Sequence, residues 1–149
     1  MSNTDWNQLQ QLACERRDTL GQRLAEAATV RDAARQKLEM LIDYRREYDG
    51  RLAQNTNHGI DAQKLRSYRA FLANLERAIE QQTEALCAAQ ARVAQAQELW
   101  RDEQRQVDSF RILDQRQQAE IARSAGRIEQ KITDEFATRG VAASAGVAD

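Results

Sequence analysis

Apolar side chains recur along this chain at alternating spacings of four and three residues, and no proline interrupts them anywhere. In the first half the series runs Leu20, Leu24, Ala27, Arg31, Ala34, Leu38, Leu41, Arg45, Tyr48 and Leu52. In the second half it runs Leu65, Tyr68, Leu72, Leu75, Ile79, Gln82, Leu86, Ala89, Val93, Ala96, Trp100, Glu103, Val107 and Phe110. A repeat averaging 3.5 residues keeps one narrow helical seam facing a neighbour, which is the geometry of a left-handed coiled coil. Arg31 and Arg45 interrupt the first series, and Gln82, Glu103 and Asp114 interrupt the second. An arginine stem can lie along an apolar seam while its guanidinium stays in water, so the interruptions thin the core without abolishing it.

Composition agrees with long helices. Charged residues are 30% of the chain and mean hydropathy is −0.77, which leaves too little apolar material for a thick globular core. The residues that dominate (Ala, Gln, Arg, Glu) are mostly strong helix formers. Basic and acidic side chains nearly cancel, 22 against 23, so the basic patch of a nucleic-acid binder is missing. No stretch approaches the apolar run of a membrane span, and MSNTDWNQLQ lacks the basic-then-apolar layout of a signal peptide. The expected setting is the cytoplasm.

Helix ends can be read from local chemistry. Asp5 followed by Gln8 fits a capping box at the first start. The segment AQNTNHGID, with Asn55, Asn57 and Gly59, reads as a turn, and Asn57 or Asp61 as the cap of the second helix. Arg139 and Gly140 read as a last-turn cation and a stop. The predicted fold is all-α: two long helices in an antiparallel coiled-coil hairpin, the second helix longer. Residues 1–139 form the hairpin, with a helix over about 5–53, a turn over about 54–60 and a helix over about 61–138; residues 140–149 form a flexible tail.

The arms are unequal, roughly 70–75 Å and about 115–120 Å at the helical rise. Folding about the turn brings Trp6 near residue 106, so the segment from Val107 to Phe136 lacks a partner in its own chain. Phe110, Leu113, Ile121, Ile128, Ile132 and Phe136 lie in that segment. Unpartnered apolar residues imply another chain, because an amphipathic helix is held by packing more than by propensity. The same folding leaves Cys14 and Cys87 too far apart along the hairpin for a disulfide.

Nothing in the chain assembles catalytic chemistry. There is no glycine-rich phosphate loop, no nucleophile beside a base and no metal-ligand spacing. His58, the one histidine, falls in the turn, and the carboxylates alternate with arginines as a solvated helix face does. The expectation is a protein that is not an enzyme and takes no cofactor or metal.

Both arms carry surplus apolar and aromatic residues at the turn end. In MLIDYRREYDGRL, Ile42 and Tyr44 fall beside the seam residues Leu41 and Tyr48, and on the second helix Phe71, Leu75 and Ala78 form a displaced line. Two narrow helices cannot bury all of these between themselves, and exposed apolar patches mark binding sites.

At this point the sequence resembles a known family. The run LEMLIDYRREY, the turn HGID, then YRAFLANLERAIEQQ, ELWRDEQRQVDSFRILDQRQ and KITDEFATR are similar to the FliJ family of flagellar type III export proteins, over residues 36–138. The resemblance implies an antiparallel coiled coil similar to the central stalk of rotary ATPases. It implies partners: the hexameric export ATPase FliI, the export-gate protein FlhA, and export chaperones, met at the inner-membrane export apparatus. It also implies a gate-binding surface at Leu41, Tyr44, Tyr48, Phe71, Leu75 and Ala78. Lys37 and Gln82 stand where the family has glutamine and histidine. ATPase contact is expected at the end bearing the termini, where Trp6, Val107, Phe110, Ile121 and Ile128 are the candidates. Such a stalk is expected to be monomeric on its own. The competing readings are a homo-oligomeric coiled-coil scaffold and the equivalent stalk of a virulence type III secretion system.

Overall fold

The computed structural model describes residues 3–146. Helix α1 spans Asn3–Asn57 and helix α2 spans Ala62–Gly146, and the described residues contain no strand. The second helix is the longer, 85 residues against 55. The structure divides into two units, residues 12–104 and residues 3–11 with 105–146.

In the first unit α1 and α2 run antiparallel around the seam read from the sequence. Every seam position from Leu20 to Leu52 and from Leu65 to Glu103 is buried or half-buried. Its most buried residues are Ala13, Leu75, Ala89 and Val93, all at 8% exposure or less. Three of these four are small, so the backbones approach closely and the core is one residue thick. Two of the polar interruptions have partners. Gln82 donates from Nε2 across the seam to the Ala34 carbonyl at 3.0 Å, and Arg31 pairs with Asp32 at 3.1 Å. Gly21 leaves room for an indole: a Cβ there would lie 3.4 Å from Trp100 Nε1. The seam also extends toward the N-terminus through Arg17 and Ala13, at the same four–three spacing.

The connection is tighter than the sequence reading had it. α1 continues through Asn55 to Asn57, and of the described residues only 58–61 lie outside the helices. Asn55 is therefore helical, and its Nδ2 donates to Tyr68 Oη at 3.2 Å. Gly59 supplies the reversal with φ of 83°, a conformation open to glycine without strain. Asp61 is the residue before α2, and its carbonyl accepts from the Leu65 N–H at 3.0 Å.

The second unit packs the first turns of α1 against α2. Trp6 meets Phe110 edge-on, with ring centroids 5.3 Å apart at 75°. Trp6 thus pairs one turn further along α2 than residue 106, because the turn is centred later than expected. Val107 and Phe110 are accordingly packed, at 2% exposure and half-buried, where the sequence reading left them without a partner. Asp5 lies inside the first turn of α1, not at its cap, since the helix is already formed at Asn3. There a carboxylate complements the positive end of the helix dipole.

α2 also passes through Gly140 to Gly146, beyond the expected stop. Gly140 does not adopt positive φ, and Ala142, Ala143 and Ala145 favour continuation. Residues 147–149 of the expected tail lie outside the described residues.

Candidate functional site

The turn end of the first unit carries an aromatic cluster. Tyr48 of α1 faces Phe71 of α2 with ring centroids 4.4 Å apart, and Tyr68 at 6.3 Å. These contacts follow from the antiparallel register, which sets the last turns of α1 beside the first turns of α2. The Arg51 guanidinium sits 5.4 Å from the Tyr48 ring centre and pairs with Glu47 at 2.6 Å. An arginine over an aromatic face is attracted by the ring quadrupole while its other side stays in water. Tyr48, Arg51, Tyr68 and Phe71, together with Asp61, Lys64 and Ser67, border an open recess of about 580 Å³.

The residues expected at a gate-binding surface separate into three groups. Tyr48 and Phe71 come together, with Phe71 at 42% exposure. Leu41 and Ala78 are half-buried, and Leu75 at 8% belongs to the core beneath the patch. Tyr44, one turn before Tyr48 on α1, borders a different recess. It is 49% exposed and shares that shallow recess with Met40, Glu39 and Asp43. Arg51 and Lys64 escaped the sequence reading. The spacing of Arg51 from Tyr48, three residues on a helix, is the signal that would have found the first.

The other apolar surface lies on α2 in the second unit. Ile121, Ile128, Ile132 and Phe136 are 51, 60, 48 and 68% exposed. Successive gaps of seven, four and four residues keep them on one helical face, and Phe110 lies three turns before Ile121 on that same face. Residues 121–146 are exposed throughout, so among the described residues nothing covers this row. The indole N–H of Trp6 is buried and has no hydrogen-bond partner among the described residues.

No group of three metal-ligating side chains occurs among the described residues. Both cysteines are free thiols, Cys14 half-buried and Cys87 exposed. No described helix is long and apolar enough to cross a membrane. What these surfaces offer is binding by apolar and aromatic contact.

Comparison with known proteins is consistent across most of the chain. The family model described as "Flagellar FliJ protein" matches residues 3–146. A flagellar FliJ protein of Salmonella typhi is 33% identical over 131 residues, covering 88% of this chain and 89% of the relative. Another, of Escherichia coli K12, is 33% identical over 106 residues, covering 71% and 72%. The chain therefore belongs to the flagellar FliJ family.

Proposed function

We propose that this protein is a non-enzymatic stalk of the flagellar type III export apparatus, which promotes assembly and activity of the hexameric export ATPase FliI. The observation that carries the reading is the exposed row Ile121, Ile128, Ile132 and Phe136, on a stretch of α2 that no described residue covers. A helix presenting such a row is stabilised by a partner that buries it. A ring of subunits closing around that helix gains binding free energy only in the closed state. By mass action the closed hexamer is then favoured, and ATP turnover rises with it. Of the five residues proposed for this contact, Ile121 and Ile128 present free surface. Trp6, Phe110 and Val107 would act chiefly by holding the end together.

The aromatic cluster at the turn is the proposed seat for the export gate, FlhA. Tyr48 and Phe71 form its centre, Tyr44 and Leu41 its α1 flank, and Ala78 its far edge, while Leu75 supports it from the core. Aromatic side chains with a neighbouring arginine suit interface anchoring. Carrying one surface in each unit lets one chain bridge ATPase and gate at the inner-membrane face, and escort export chaperones. The protein acts as a monomer in the cytoplasm until it docks.

The test is ATP turnover by the purified cognate ATPase as this protein is titrated in. Stimulation that saturates well below one chain per ATPase subunit supports the stalk. An active ATPase that does not respond refutes it, and a dimer by light scattering would then favour a scaffold of paired chains.

A further inference from the structure

We infer that the segment of the export gate that docks on this chain mixes acidic with apolar side chains, and that it lies along one flank of the α1–α2 seam, from Lys64 to Arg92. The inference rests on the gate reading proposed above. Composition conceals this flank, because residues 12–104 hold 15 basic and 15 acidic side chains. On α1 the residue just before every second seam position is Arg23, Val30, Lys37, Tyr44 and Arg51 in turn. On α2 the matching row is Lys64, Phe71, Ala78, Ala85 and Arg92. Antiparallel pairing brings the two rows to the same side of the seam, and Arg51, Lys64 and Phe71 accordingly border one recess. Ten positions over about 40 Å thus carry five cations, and none is a carboxylate. The opposite flank, over the same turns, sets Arg35 and Arg69 against Asp49 and Glu76.

Arg51 pairs with Glu47, but Arg23, Lys37, Lys64 and Arg92 have no ion pair among the described residues. Asp61 borders the recess of Lys64, and Glu103 that of Arg23, which leaves Lys37 and Arg92 as the unopposed charges. Among the cations stand Val30, Tyr44 and Phe71, at 54, 49 and 42% exposure. A row of cations without acids attracts an anionic partner and repels a basic one. The interleaved apolar residues require that partner to bury apolar side chains as well. A bilayer surface, being flat, would also press on Glu26 and Glu47, which are exposed in the next row out on α1. A protein segment narrow enough to follow the flank meets the cations and the apolar residues without those carboxylates.

The test is a titration of the full-length protein with the purified cognate gate protein at about 50 and about 300 mM salt. Wild-type affinity should fall at least fivefold between the two. Lys37→Glu/Arg92→Glu changes two exposed positions, so its helicity by circular dichroism should match the wild type. It should bind at least tenfold more weakly at the lower salt and lose the salt dependence. Phe71→Ala should weaken binding and keep that dependence. Gate binding that responds to Phe71→Ala but to neither salt nor charge reversal would overturn the acidic segment and leave the gate reading standing. No binding by the wild type would refute the gate reading and this inference with it. Sedimentation with phosphatidylglycerol vesicles, abolished by the charge reversal, would assign the flank to a lipid surface and overturn the inference.

Discussion

Phe71 and Leu75 lie one turn apart on α2 and belong to different parts of the molecule: Phe71 is 42% exposed against the Tyr48 ring, and Leu75 is 8% exposed in the seam. Their truncations should therefore separate. Leu75→Ala opens a gap in a thin core and should cost about 2–3 kcal/mol of stability, visible as a lower Tm. Phe71→Ala should cost about 1–2 kcal/mol in stability, less than Leu75→Ala, while weakening binding to the gate protein at least tenfold in a titration.

The stacking of Tyr48 on Phe71 is separable from the area each buries. A double-mutant cycle to alanine at the two positions should return a coupling of about 0.5–1.5 kcal/mol by chemical denaturation. A coupling near zero would mean that the rings are neighbours without mutual stabilisation.

Gln82 is the seam residue that reaches across to the opposite backbone, donating to the Ala34 carbonyl at 3.0 Å. A polar group in a coiled-coil seam specifies register at a cost in stability. Gln82→Leu should accordingly raise the denaturation midpoint, by the equivalent of about 1 kcal/mol. Gln82→Ala, which loses both bond and packing, should lower it.

Gly21 lies in the middle of α1 under the Trp100 indole, where a Cβ would rest 3.4 Å from Nε1 and 3.5 Å from Cδ1. Those are close to ordinary contact distances. Gly21→Ala should then gain most of the helix-propensity difference, about 0.5–1 kcal/mol, and raise Tm. Gly21→Leu should lower it by displacing the indole.

Much of the fold is legible in the sequence because a single repeating pattern generates it. The alternation of four and three from Leu20 to Leu52 and from Leu65 to Phe110 coincides throughout with buried or half-buried positions. Interruptions by Arg31, Arg45 and Gln82 do not break it, since their stems or amides find places within the seam. Register was less legible. It depends on the turn, and Asn55 and Asn57 look like turn formers but extend α1, so every cross-helix pairing moves along α2. That shift is why Trp6 meets Phe110 and why Val107 is packed. The N-terminal continuation through Ala13 and Arg17 was hidden by polar and small residues, which carry the spacing with little hydropathy. At the candidate sites, periodicity could identify apolar residues beside the seam but not their direction. It did not distinguish Tyr44, beside Met40, from Tyr48, beside Phe71.

The most direct measurement is ATP turnover by the cognate export ATPase, titrated with the wild-type protein, with Ile128→Glu/Ile132→Glu and with Phe71→Ala. The two isoleucines are 60 and 48% exposed, so the double variant should keep its helicity and lie within about 0.5 kcal/mol per substitution of wild-type stability. The account predicts stimulation by the wild type and by Phe71→Ala, and its loss, at least tenfold in the half-maximal concentration, in the isoleucine variant. Equal stimulation by all three, or loss with Phe71→Ala alone, would contradict the assignment of the exposed α2 row to the ATPase.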